Sequence, residues 1–152
     1  MSNSFELGSN LQKMKVVSES VGDGGRSIRF SFPHPHKIDQ EGAYFEMKDF
    51  GKFVYFSSMH ADNDLRGKGV ARAFIDKAQA YLDEHNKFGF VSNQISRMNG
   101  ARYMYRAPEW FPLSEHNWMI RIPKALRNPE NPLAVPLLDT ELNEMVRICM
   151  KN

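Results

Sequence analysis

The chain predicts an α+β (mixed α/β) domain in which a central mixed sheet is flanked by helices and followed by an extra C-terminal helix. Three observations predict it. The first sixty residues read as strands separated by turns. The apolar period then changes from two to that of a helix at Val70, after which strand and helix patterns alternate. A last amphipathic stretch follows a proline-rich connector. The length of 152 residues suits one domain, 1–152, with a core over about 15–123 and the connector and last helix over 124–152.

Each element has its own signal. Residues 15–17 form a short strand, closed by the turn chemistry of Gly22, Asp23, Gly24 and Gly25. Residues 27–32 alternate polar and apolar, the period of a half-buried strand, and stop at Pro33 and Pro35. Residues 43–47 are a third strand, and the aromatic, β-branched run 53–59 reads as a central fourth. Ala71, Phe74, Ile75, Ala78, Tyr81 and Leu82 then recur at helical spacing over 70–85. Residues 88–91 read as a further strand. Residues 95–106 read as a helix that Pro108 stops, and 118–122 as a last strand before Pro123. Six of the eight prolines lie from Pro108 onward, which makes the connector irregular. In the final helix Leu138, Leu142, Met145, Val146 and Cys149 share one face, with Asp139 or Thr140 as its N-cap.

Composition narrows the function classes. Hydrophobic residues make up 41%, enough for a packed core and too many for a disordered chain. Twenty Lys and Arg against eighteen Asp and Glu leave a formal charge of +2, too near neutral for bulk charge to argue for nucleic acid. The single cysteine, Cys149, excludes an intrachain disulfide and a cysteine-rich zinc site. No window approaches 18 continuous apolar residues, and residues 1–15 lack the apolar stretch of a signal peptide, so the expectation is a cytoplasmic protein with no membrane partner.

The chemistry concentrates where the fourth strand runs into the helix at Val70. Gly67-Lys68-Gly69 opens that helix, and glycines there let successive backbone N–H groups converge on one point. The helix dipole, Arg66 and Lys68 add positive charge, so the segment suits a phosphate or pyrophosphate. It is not Walker A, because Gly69-Val70-Ala71 lacks the Lys and Ser/Thr, nor a dinucleotide fingerprint, because Arg72 stands where the third glycine belongs.

The segment resembles motif A of the GNAT superfamily of acyl-CoA N-acyltransferases, whose signature is Gln/Arg-x-x-Gly-x-Gly/Ala. Gly67 and Gly69 fall on its two small positions, and Met59 and Ala61 on the apolar places ending the family's fourth strand. Leu65 takes a place often held by an aromatic residue. Asp64 replaces the opening Gln or Arg, and Asn63 a common proline. Downstream, Ala101, Met104-Tyr105 and Glu109-Trp110 stand at the spacings of a later family helix, with Glu109 in place of a glycine, and 118–123 resembles the closing strand. The resemblance covers residues 43–122; the first forty are short for the family's opening helix pair.

The resemblance implies a GNAT-like sheet and an acetyl-CoA-dependent N-acetyltransferase that transfers an acetyl group to an amine by direct attack in a ternary complex. Met59 and Ala61 would pair with the pantetheine arm, and Arg66, Gly67, Lys68, Gly69, Val70 and Ala71 would hold the pyrophosphate, with Arg72 in reach of a phosphate. Tyr105 would protonate the leaving thiolate, for which a phenol is apt. His60 and Glu46 are the chemically suitable general bases. The acceptor, a small molecule or a protein, would approach between residues 33–42 and 110–116. No metal is expected, and the protein would be a monomer or homodimer. The rival readings are a GNAT-like fold used as a non-catalytic interaction or structural protein, or a scaffold that modifies nucleic acid. His34, His36 and His116 read as solvated loop histidines, and Arg72, Lys77, Lys87 and Arg97 as solvated faces. The nine methionines read as core filler, and Cys149 as buried and inert.

Overall fold

The computed structural model describes residues 7–10, 13–22, 24–92, 109–113 and 118–151. Among them seven strands form one sheet: β1 (Lys15–Ser20), β2 (Arg26–Pro33), β3 (Glu41–Asp49), β4 (Phe53–Ala61), β5 (Phe88–Ser92), β6 (Phe111–Pro112) and β7 (Trp118–Arg121). The spatial order is β1-β2-β3-β4-β5-β7-β6. Strands β1 to β4 form an antiparallel meander, β4 pairs β5 in parallel, and β7 lies antiparallel between β5 and β6. A parallel pair needs a crossover, and the helix α2 (Val70–Glu84) supplies it. A single turn, α1 (Leu7–Asn10), precedes the sheet, and α3 (Asp139–Lys151) follows it. This is the mixed α+β architecture that the change of period implies. No helix among the described residues is long and apolar enough to cross a membrane.

Two apolar layers form because strand side chains alternate between faces. On one face Phe30, Phe32, Phe45, Met47, Val54, Phe56 and Val91 meet Val70, Phe74, Ile75, Ala78 and Leu82 of α2. Each of these side chains except Ala78 contributes about 1.5–3 kcal/mol on full burial. On the other face Phe53, Phe88, Phe90, Trp118 and Ile120 meet Met145, Val146 and Cys149 of α3. Burial pushes the Cys149 thiol up to about 12, which leaves it protonated and inert at neutral pH.

Ion pairs tie the layers together at the ends of the helices. Asp49, at the end of β3, accepts hydrogen bonds from Lys87 at 2.8 and 2.7 Å, from Gly51 N–H at 2.8 Å and from the Tyr81 hydroxyl. Burial pushes the Asp49 carboxyl up, but these donors outweigh it and hold its pKa below the usual range. Arg121, buried on β7, makes a two-pronged pair with Asp83 of α2 at 2.9 and 3.0 Å and a third bond to Glu109 at 2.9 Å. Arg127 of the connector also reaches Glu109, at 3.0 Å. Glu109 therefore joins β7 to the connector, and Arg121 carries the link on to α2.

Several expectations need correction. The first strand runs on to Ser20 and closes onto β2 through a tight turn, with Val21 N–H bonded to Gly25 O at 2.9 Å. The two-residue β6 carries no signal in sequence, because Pro112 lacks a ladder donor and fits only at the sheet edge. Leu138, placed on the buried stripe of the last helix, is 69% exposed. It precedes the helix and occupies the N-cap position expected of Asp139 or Thr140, while the Glu141 carboxylate accepts its backbone N–H at 3.0 Å. Lys87 is not on a solvated face but is half-buried on Asp49. Residues 95–106, Arg97 and His116 lie outside the described residues.

Two stability measurements follow. A Cβ added at Gly89 would stand 2.7 Å from Leu82 Cδ1 and 2.9 Å from Trp110 Cη2, so Gly89→Ala should destabilise the fold by about 1–3 kcal/mol in urea unfolding. Because the folded pKa of Asp49 is depressed, its stabilisation is fully present above the unfolded value of about 4 and is lost as pH falls through the folded value. Asp49→Asn should therefore lower the urea midpoint at pH 7, and the gap from the parent should close as pH falls below about 4.

Candidate functional site

Strand β4 pairs with β3 all the way to Ala61, but with β5 only from Phe53 to Phe56. Between Phe56 and Ser58 it carries one extra residue, Ser57, whose hydroxyl donates to Glu46 O at 3.0 Å. Beyond this bulge residues 57–61 have no paired strand on the β5 side among the described residues. Met59 and Ala61 pack against the α2 layer. Ser58 and His60 take the opposite face, across from Glu46 and Tyr44 on β3.

The loop after β4 is held by backbone bonds. Asp62 N–H reaches Gly42 O at 2.8 Å, and Leu65 N–H reaches Asp62 O at 2.9 Å, closing a 3₁₀ turn over Asn63–Leu65. Leu65 is fully buried and anchors that turn, a packing reason for an apolar residue in an otherwise polar loop. Arg66 Nε donates to Ala61 O at 2.9 Å, so this side chain braces the end of β4. Gly67 and Gly69 then take φ of +73° and +82°, where any other residue would be strained. The first bond of the helix runs from Ala73 N–H to Gly69 O at 3.0 Å. The N–H groups of residues 67–72 have no acceptor among the described residues. Lys68 is exposed beside them, and Arg72 Nε lies 3.9 Å from Asp76 on the exposed side of α2.

Next to this loop is a group of imidazoles and carboxylates. His34, read in sequence as a solvated loop residue, is buried: its side chain is 2% exposed. Its Nδ1 accepts the backbone N–H groups of His36 at 3.0 Å and Lys37 at 3.1 Å, so the ring proton sits on Nε2. That nitrogen faces Asp64 Oδ2 at 3.3 Å and Asp62 Oδ2 at 3.6 Å. Asp62 Oδ1 lies 2.9 Å from His60 Nε2. An ionised carboxylate can only accept, so His60 is the donor, and this bond is the first cause that holds the Asp62 carboxyl below its usual range. Asp64 is thus engaged by a histidine. Among the described residues, no group of three His, Cys, Asp or Glu side chains is arranged to hold a metal ion.

The remaining candidates separate clearly. Glu46 shares a face with His60, but its carboxylate is paired with Arg29 at 3.3 Å, and Arg29 stacks on the Tyr44 ring at 3.8 Å. Trp110, expected to border an acceptor path, is fully buried and donates from Nε1 to Gln79 at 2.7 Å, so it is a core residue. Tyr105, with Ala101 and Met104, lies outside the described residues. The structure brings together Met59, His60, Ala61 and the residues from Arg66 to Arg72. It adds Asp62 and His34, which sequence reasoning missed. The signal for Asp62 was its place two residues after His60, just past the strand end; His34 had none, since its partners are 28 and 30 residues away.

Gly42 is the tightest point of this arrangement. A Cβ there would stand 3.0 Å from His34 Cα and 3.1 Å from Leu65 Cδ2. Gly42→Ala should cost about 1–2 kcal/mol by urea unfolding. It should also speed hydrogen exchange at the His36 and Lys37 amides that His34 holds.

No family model matches this chain, and no curated protein matches it.

Proposed function

We propose that this chain is a GNAT-like N-acyltransferase that binds acetyl-CoA and transfers its acetyl group to an amine by direct attack. The observation that carries the reading is the junction of β4 and α2. There two glycines at positive φ and the N–H groups of residues 67–72 open together beyond the carboxyl end of the parallel β4–β5 pair. In sheets of this kind, ligands bind outside the carboxyl ends of parallel strands, and a free helix N-terminus favours phosphate. Among the described residues the β4–β5 pairing ends at Phe56 while β4 continues to Ala61, which supports a place for an extended pantetheine arm along Met59, His60 and Ala61.

In this reading the amides of Gly67, Lys68, Gly69, Val70 and Ala71 hold the pyrophosphate, while the Arg66 N–H, expected to join them, is taken by Asn63 O at 3.3 Å. Lys68 and Arg72 add charge, whereas Arg66 mainly braces the strand. Asp64 is compatible with a phosphate nearby because His34 engages its carboxylate. Tyr105 protonates the leaving thiolate, by resemblance to the family.

Thermal unfolding tests the reading. At acetyl-CoA a thousandfold above Kd the fold should gain about 4 kcal/mol, a rise in Tm of roughly 10 °C. Gly69→Glu should abolish that rise, since it puts bulk and negative charge into the cradle. Circular dichroism would check that the variant is folded. An unstabilised parent protein would instead favour the use of this fold as an interaction scaffold.

A further inference from the structure

We infer that His60 and Asp62 form the proton-accepting pair of the proposed transfer, with His60 as the general base and Asp62 as the residue that positions it. This inference rests on the acyl-transfer reading and names a part of the machinery that the reading leaves open between His60 and Glu46.

Three observations carry it. First, the bond between His60 Nε2 and Asp62 Oδ1, at 2.9 Å, commits the ring proton to Nε2 and leaves Nδ1 as a lone pair. Nδ1 has no hydrogen-bond partner among the described residues, and the side chain is 49% exposed, so a substrate proton can reach it. Glu46 lacks this freedom because Arg29 occupies its carboxylate.

Second, the supports of the pair are themselves held. The Tyr44 ring lies 5.9 Å from the His60 ring, and Tyr44 is itself covered by Arg29. Asp62 is fixed through its backbone to Gly42 and Leu65. Its second oxygen faces buried His34, whose ring the backbone of His36 and Lys37 locks in place. A base whose supports are themselves bonded loses little in orientation when the reaction begins.

Third, the pair and the phosphate cradle share one short segment. His60 precedes Ala61, whose carbonyl is held by Arg66 at the entrance to the glycine turn. A thioester laid along the β5 side of residues 57–61, where no strand pairs among the described residues, would bring its carbonyl next to His60 while its phosphates rest on the cradle. The amine nitrogen then attacks that carbonyl as its proton passes to Nδ1. The C–N bond forms, the C–S bond breaks, and the coenzyme A thiolate departs and takes up a proton.

The test uses the full chain in three measurements. Nitrogen-15 NMR of the histidine rings at pH 8 should show His60 protonated at Nε2 and bare at Nδ1, and Asp62→Ala should give a mixture of the two tautomers. Acetyl-CoA at a concentration that stabilises the fold should slow carbethoxylation of His60 by diethyl pyrocarbonate at least about fivefold. His85, just past the far end of α2, should react at an unchanged rate. Basal hydrolysis of acetyl-CoA, in which water replaces the amine, should fall on the order of 10²-fold in His60→Ala, and added imidazole should restore it. The inference is overturned by a proton on Nδ1, by a tautomer that ignores Asp62, by an unprotected His60 in a protein that acetyl-CoA stabilises, or by equal hydrolysis in His60→Ala. Failure of acetyl-CoA to stabilise the parent removes the transfer reading and the pair's part in it, while the NMR result still shows whether the pair forms.

Discussion

The parallel pairing of β4 with β5 is the constraint on which the rest of the structure depends. Two neighbouring parallel strands cannot be joined by a turn, so the chain must leave the end of β4, cross one face and return. The return is α2, and its apolar stripe is what buries that face of β2, β3 and β4. The crossover also fixes where the site must be. The loop that begins it has to reverse direction within a few residues, which is why Gly67 and Gly69 sit there at positive φ, and the first amides of α2, as at any helix start, have no acceptor among the described residues.

The polar networks serve the same geometry. Asp49 collects Lys87 and Tyr81 where α2 hands the chain to β5, and Arg121 collects Asp83, Glu109 and, through Glu109, Arg127 on the far side. Both clusters pin the C-terminal half of α2 to the sheet, so that its N-terminal half faces the loop from a fixed platform. Buried charges of this kind add little net stability over apolar packing, but losing one partner strands the other, which makes them effective locks on a single arrangement. Arg121 shows the cost of such a lock: its Nε is buried without a hydrogen-bond partner among the described residues. The pair of His60 and Asp62 uses the same device near the surface, where a half-exposed ring keeps one nitrogen available.

Much of the fold was legible because it follows local rules. The alternation in 27–32, the change to helical spacing at Val70 and the glycines at 67 and 69 each depend on neighbours within a turn or a strand, and the structure follows them with shifts of a few residues at the boundaries. Leu138 misled because a helical spacing says which residues share a face but not where the helix begins. Lys87 and His34 misled because charge and loop position say nothing of distant partners: Asp49 lies 38 residues from Lys87, and Asp62 lies 28 from His34.

By itself, then, the sequence determined the class of fold, the strand-to-helix junction and the glycine turn, since these are set by periodicity and by backbone freedom. Tertiary structure alone decided that β4 runs on past its pairing with β5 among the described residues, that Glu46 is claimed by Arg29, that Trp110 belongs to the core, and that His34, Asp62 and His60 meet beside the turn. Those outcomes rest on register between strands and on contacts between residues far apart in the chain. No local pattern encodes them, because the free energy that selects them exists only once the sheet has closed.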